Sequence, residues 1–260
     1  MTIERGYVGR AGRQVHFRTA GAGAPVVILH MTPSSSLSWE ATIDDLAGRG
    51  YRVIAFDTPG FGLSDRLDDE PSIDGWAERI AGAAEALGLR DYFLFGHHTG
   101  ASVAAAIAAR WPERVRKMAL WGFAAQSEEA RARSREAPIS TISESGDELL
   151  ERWNAWKRLA GDRFSPAVGI RYVLEVLQAG PAWSRGHHVV AETDHEALAG
   201  RVQTETLLLC GDRDVLWPQC RDCATLFPNG RFVAIDGGGV DVFDQFPGEL
   251  AAALDSFFRG

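Results

Sequence analysis

The stretch Phe93-Leu94-Phe95-Gly96-His97-His98-Thr99-Gly100 constrains this chain more than any other. An apolar run enters a Gly-x-x-x-Gly turn and leaves it into an Ala-rich segment over 101–110. That order reads as a buried strand, a sharp turn and a helix. The middle residue of such a turn sits on strained backbone, with its side chain standing above the sheet. Glycine suits both flanks because a Cβ there would collide with the tightly turned chain. The residue displayed at the apex is His98.

The same rhythm of short apolar strands and helical spacings runs through most of the chain. Alternation over 7–19 around Gly12 predicts an edge hairpin. The continuous run Pro25-Val26-Val27-Ile28-Leu29 predicts a strand buried on both faces, followed by the loop His30-Met31-Thr32-Pro33-Ser34-Ser35-Ser36 and a helix over 38–49. A second strand over 51–56 precedes a helix over 73–87 that Gly88 stops, and 115–121 reads as the strand after the elbow. Strands alternating with helices imply a mostly parallel sheet covered on both faces. After Phe123 only helical or charged segments follow, over 128–135, 149–159 and 171–177. Strand spacing returns at 206–210 and 231–235, and an amphipathic helix over 243–258 closes the chain. The expected organisation is a core over 1–123, an all-helical cap over 124–200 and the rest of the core over 201–260.

A chain of 260 residues can bury the core such a sheet needs. Its net charge of −8 argues against nucleic acid or an anionic membrane as partner, leaving a small-molecule substrate. The start lacks the pattern of a signal peptide, and an odd cysteine count fits a reducing, cytoplasmic setting. The lone pair Cys220-x-x-Cys223 reads as packing of a small helix. A homodimer stays open, with nothing in the sequence that demands one.

Four segments together resemble the α/β-hydrolase family with a helical cap. His30-Met31-Thr32-Pro33 is similar to its oxyanion loop, with Met31 in place of a glycine. Asp57-Thr58-Pro59-Gly60-Phe61-Gly62-Leu63-Ser64 resembles its Asp-x-x-Gly-x-Gly-x-Ser turn. Gly96 to Gly100 matches its nucleophile elbow, and Gly211-Asp212-Arg213-Asp214 its acid-bearing loop. The resemblance implies an α/β-hydrolase fold, backbone oxyanion donors at Thr32 and Thr99, and an acid at Asp214.

Two departures reshape the implied chemistry. The elbow carries His98 instead of serine, and the position where the family places its terminal histidine holds Val240, with no histidine after His195. An imidazole at the elbow reaches farther than a hydroxyl, and Val240 leaves room for it. His98 paired with Asp214 would then be a general base beside the oxyanion hole, with no cofactor and no metal. That arrangement suits hydrolysis of a small apolar ester, lactone or β-keto compound. Lyase or decarboxylase chemistry on the same scaffold is an alternative, and a ligand-binding protein that has lost its triad is another. His30, Ser34, Trp121, Trp153, Trp156 and Val240 are expected to line the substrate pocket, and His97 to point away as a hydrogen-bonded structural histidine. The adjacent pairs His97-His98 and His187-His188 lack the i, i+4 spacing of metal-binding helices.

Overall fold

The computed structural model describes residues 1–67, 69–180 and 183–260. Among these, eight strands form one sheet: β1 (Glu4–Val8), β2 (Val15–Ala20), β3 (Ala24–Leu29), β4 (Tyr51–Phe56), β5 (Tyr92–His97), β6 (Val115–Trp121), β7 (Thr206–Cys210) and β8 (Gly230–Ala234). Their spatial order is β1-β2-β4-β3-β5-β6-β7-β8. β2 runs antiparallel to both β1 and β4, and every other pairing is parallel. Every residue of β5 and β7 is buried, as continuous apolar runs in a sheet covered on both faces require.

The helices are α1 (Glu40–Gly48), α2 (Ile73–Ala86), α3 (Thr99–Arg110), α4 (Glu128–Glu136), α5 (Asp147–Ala160), α6 (Pro166–Ala179), α7 (Arg185–Glu192), α8 (His195–Gly200), α9 (Trp217–Cys223), α10 (Val242–Gln245) and α11 (Pro247–Arg259). From β3 to β8 strands and helices alternate, except that helices α4 to α8 fall together between β6 and β7. None of the helices among the described residues is long and apolar enough to cross a membrane.

The sheet order positions the site. The chain leaves β3 towards β4 on one side and later returns on the other side as β5. Loops at the carboxyl ends of β3 and β5 therefore diverge and leave a crevice, the usual ligand position in open α/β sheets. The loop after β3 is tied down by Asp57, at the end of β4. Its carboxylate accepts the Ser36 N–H at 2.6 Å, the His16 ring at 2.8 Å and the Leu63 N–H at 2.9 Å. Burial opposes its ionisation, yet these donors and the nearby His30 hold its pKa at about 2. Gly62 is required there: at φ +53°, a Cβ would lie 2.2 Å from Asp57 Oδ2.

Several expected boundaries move. The helix expected over 38–49 opens with a 3₁₀ turn, Ser36–Trp39, because Ser35 Oγ accepts the Leu37 N–H and caps it early. The closing helix expected over 243–258 is two helices, α10 and α11. Pro247 cannot donate an N–H and pushes Phe246 out of the helical region, to φ −135°, ψ 43°. Helices α7 and α8 have 8 and 6 residues, too short for their periodicity to be read from sequence. The Cys-x-x-Cys pair lies on α9, where both thiols are buried and donate to the carbonyls of Phe123 and Gln219 at 3.1 Å.

Candidate active site

The elbow glycines answer to close approach. A Cβ on Gly96 would lie 2.3 Å from the Gly100 carbonyl oxygen, and one on Gly100 would lie 2.3 Å from that of Leu29. α3 is thereby pressed against the ends of β3 and β5, and His98 takes the strain. Its φ of 49° and ψ of −112° make it the one non-glycine residue with positive φ among the described residues. Such backbone costs on the order of 1–3 kcal/mol and persists only where the surroundings over-determine it. Here the His98 N–H donates to the Trp121 carbonyl at 2.8 Å. Its ring lies against Gly122, where a Cβ would stand 2.2 Å from His98 Cδ2.

His98 Nε2 lies 2.9 Å from Asp214 Oδ2. The same carboxylate oxygen accepts the Trp121 indole N–H at 2.8 Å, and Asp214 Oδ1 accepts the Leu216 N–H at 2.9 Å. Burial disfavours ionised Asp214, but His98 and these two donors outweigh it and hold the carboxyl below the usual carboxylate range. An ionised carboxylate can only accept, so the proton of the neutral His98 ring resides on Nε2 and Nδ1 carries the lone pair.

His97 points beneath the elbow, with no exposed surface. Its ring stacks on His98, with centroids 4.6 Å apart at 23°, and meets Trp39 and Phe243 edge-on. The Val240 backbone is a polar neighbour of this ring, and aromatic side chains occupy the rest of its surroundings. Burial first, then repulsion from His98, pushes its pKa well down, so the ring is neutral.

On the opposite wall, the Thr32 N–H points at Thr99 Oγ1 at a long 3.4 Å, which brings the two expected oxyanion residues together. Helix α7 closes over them through Gly186, where a Cβ would fall 1.9 Å from Thr32 Oγ1. A cavity of about 290 Å³ opens here, walled by Thr32, His98, Thr99, Ser102, His187 and His195, among others.

The six residues expected to line the pocket stand outside this wall: Val240 is buried and the other five have partners of their own. His30 accepts the Thr58 N–H and donates to the Met31 carbonyl, both at 2.8 Å, and so braces two loops. Ser34 is committed to Ser38 and to Glu175, a buried carboxyl group that α6 inserts behind the loop. Ser35 and Ser38 also donate to Glu175, at 2.8 and 2.9 Å. Trp121 serves Asp214 and is fully buried. Trp153 packs edge-on against Phe164, Trp156 stacks on Tyr172 at 4.2 Å, and Val240 is buried. The sequence reading missed Ser102, whose Oγ lies 2.8 Å from His195 Nε2. Among the described residues no three His, Cys, Asp or Glu side chains converge as a metal site would.

Comparison with known proteins adds the lineage. Residues 24–153 match the family model described as the alpha/beta hydrolase fold. The chain belongs to the α/β-hydrolase family. This α/β hydrolase is 28% identical over 243 residues to a non-heme haloperoxidase of Rhodococcus erythropolis, covering 87% of this chain and 89% of that one. It is 35% identical over 121 residues to a 2-hydroxymuconate semialdehyde hydrolase of Pseudomonas sp. strain CF600. That second match spans 45% of this chain and 42% of the relative. Among solved structures, an epoxide hydrolase from Vigna radiata superposes with a TM-score of 0.81 at 19% identity, covering 99% of this chain and 98% of that one. At that identity the likeness concerns the fold alone.

Proposed function

We propose that this α/β hydrolase cleaves a small uncharged ester, lactone or β-keto compound by direct attack of water, with His98 as general base and Asp214 as its orienting acid. The observation that carries the reading is the 2.9 Å contact between His98 Nε2 and Asp214 Oδ2, which leaves Nδ1 as the ring's basic atom beside the cavity. Water held at Nδ1 gives up a proton as its oxygen bonds to the substrate carbonyl carbon. The carbonyl electron pair moves onto oxygen, where the backbone N–H groups of Thr32 and Thr99 are the available donors. Asp214 stabilises the imidazolium formed, and the same proton passes to the leaving group as the tetrahedral intermediate collapses. The helices over 128–200 act as the lid that limits water around the intermediate. Family membership and the hydrolase names of its relatives support hydrolysis over lyase chemistry.

The test is the hydrolysis of p-nitrophenyl butyrate by wild type, His98→Ala and Asp214→Asn. Each variant should lose on the order of 10²–10⁴ in kcat, the span of a general base and its orienting partner. The wild type should show no acyl-enzyme burst. Full activity in His98→Ala would sink the reading.

A further inference from the structure

One polar pair in the cavity takes no part in the step just described. Ser102 lies in the first turn of α3, just after His98 at its N-cap, and both side chains line the same cavity. Ser102 and His195 are each only 3% exposed, share their 2.8 Å contact and line the cavity together. Phe123 packs edge-on against the His195 ring at 5.4 Å and fixes its plane. No carboxylate is hydrogen-bonded to His195 among the described residues, and burial pushes its pKa down to about 4. So weak a base is poorly matched to activating a serine near neutral pH, which argues against a second nucleophile.

The pair has hydrogen-bonding capacity left over. If Ser102 donates to His195 Nε2, the hydroxyl oxygen still accepts; if Nε2–H donates to Ser102, the O–H is free to give. An alcohol group on a ligand complements both arrangements. The rest of the wall carries no lysine, arginine, aspartate or glutamate, so a charged ligand group would be desolvated there without an opposite charge.

We propose that Ser102 and His195 form a hydroxyl-recognition subsite, and that the substrate is an uncharged hydroxy-carbonyl compound whose alcohol reaches this pair while its carbonyl faces His98 across the same cavity. The proposal rests on the reading of His98 as base only in placing the carbonyl end.

Two inert amides test it without turnover: N,N-dimethyl-4-hydroxybutanamide and N,N-dimethylpentanamide, which differ by a hydroxyl in place of a methyl. NMR titration of wild type should give about 10-fold tighter binding of the hydroxyamide. In Ser102→Ala, and independently in His195→Phe, the ratio of the two affinities should fall to near 1. A wild-type ratio of 1 overturns the proposal. So does a ratio that survives both substitutions while the two affinities fall together, which is what a purely structural pair would give. Because neither amide is cleaved, the ratio is read whether or not His98 proves to be the base. Ester turnover in His98→Ala reports on that separately.

Discussion

Strain at His98 and crowding at Gly122 are two sides of one geometry. The elbow forces positive φ on His98, and the ring can reach Asp214 only across a residue without a side chain. Gly122→Ala places a methyl 2.2 Å from Cδ2 and a Cβ on backbone at φ +69°. It should lower the unfolding free energy by roughly 2–4 kcal/mol in urea titration and cut ester hydrolysis at least about 10²-fold. His98 and Asp214 could be named from sequence because each sits in a turn with a local signature. The Ser102–His195 contact could not, since it joins residues 93 positions apart and only the folded chain brings them together. For the expected wall residues, type suggested a pocket, but hydrogen bonds and stacking partners had already claimed them.

Among the elements, α6 makes the most consequential contact. It carries Glu175, 1% exposed, into the serine-rich loop after β3, with Arg171 Nε 3.9 Å away and Arg171 itself paired with Asp244 at 2.5 Å. Burial raises the Glu175 pKa to about 7 against the opposing pull of Arg171 and the serines. The folded state thus keeps a proton that the unfolded chain releases near 4.5. The stability this contributes is complete below pH 4.5 and is lost as pH rises through about 7. Glu175→Gln should flatten that dependence, gaining on wild type by roughly 2–4 kcal/mol between those limits in unfolding followed by tryptophan fluorescence. No sequence pattern announced this contact, because a lone glutamate on an amphipathic helix reads as solvated. The strands were legible for the opposite reason: continuous apolar runs in a parallel sheet have one solution. Helix ends were less so, since the Ser35 cap and the break at Pro247 turn on single residues.

At the scale of the whole molecule, an acidic protein of net charge −8 surrounds a cavity walled by uncharged and histidine side chains. For a neutral ester, kcat/KM should change by less than about 2-fold between roughly 0.01 and 0.5 M salt; a steep decline or rise would mark a charged substrate steered by the surface. The sheet order supplies the rest of the design. His98 leaves β5, Trp121 ends β6 and Asp214 follows β7, so three adjacent parallel strands feed one carboxylate. After the last strand, Val240 stands where the family resemblance places a histidine. This has an evolutionary consequence. An intermediate with serine at 98 and valine at 240 would leave Asp214 without an imidazole, and one with histidine at both would set two rings against a single acceptor. On the proposed reading of His98, the serine and histidine designs differ at two positions, and neither single substitution completes either one.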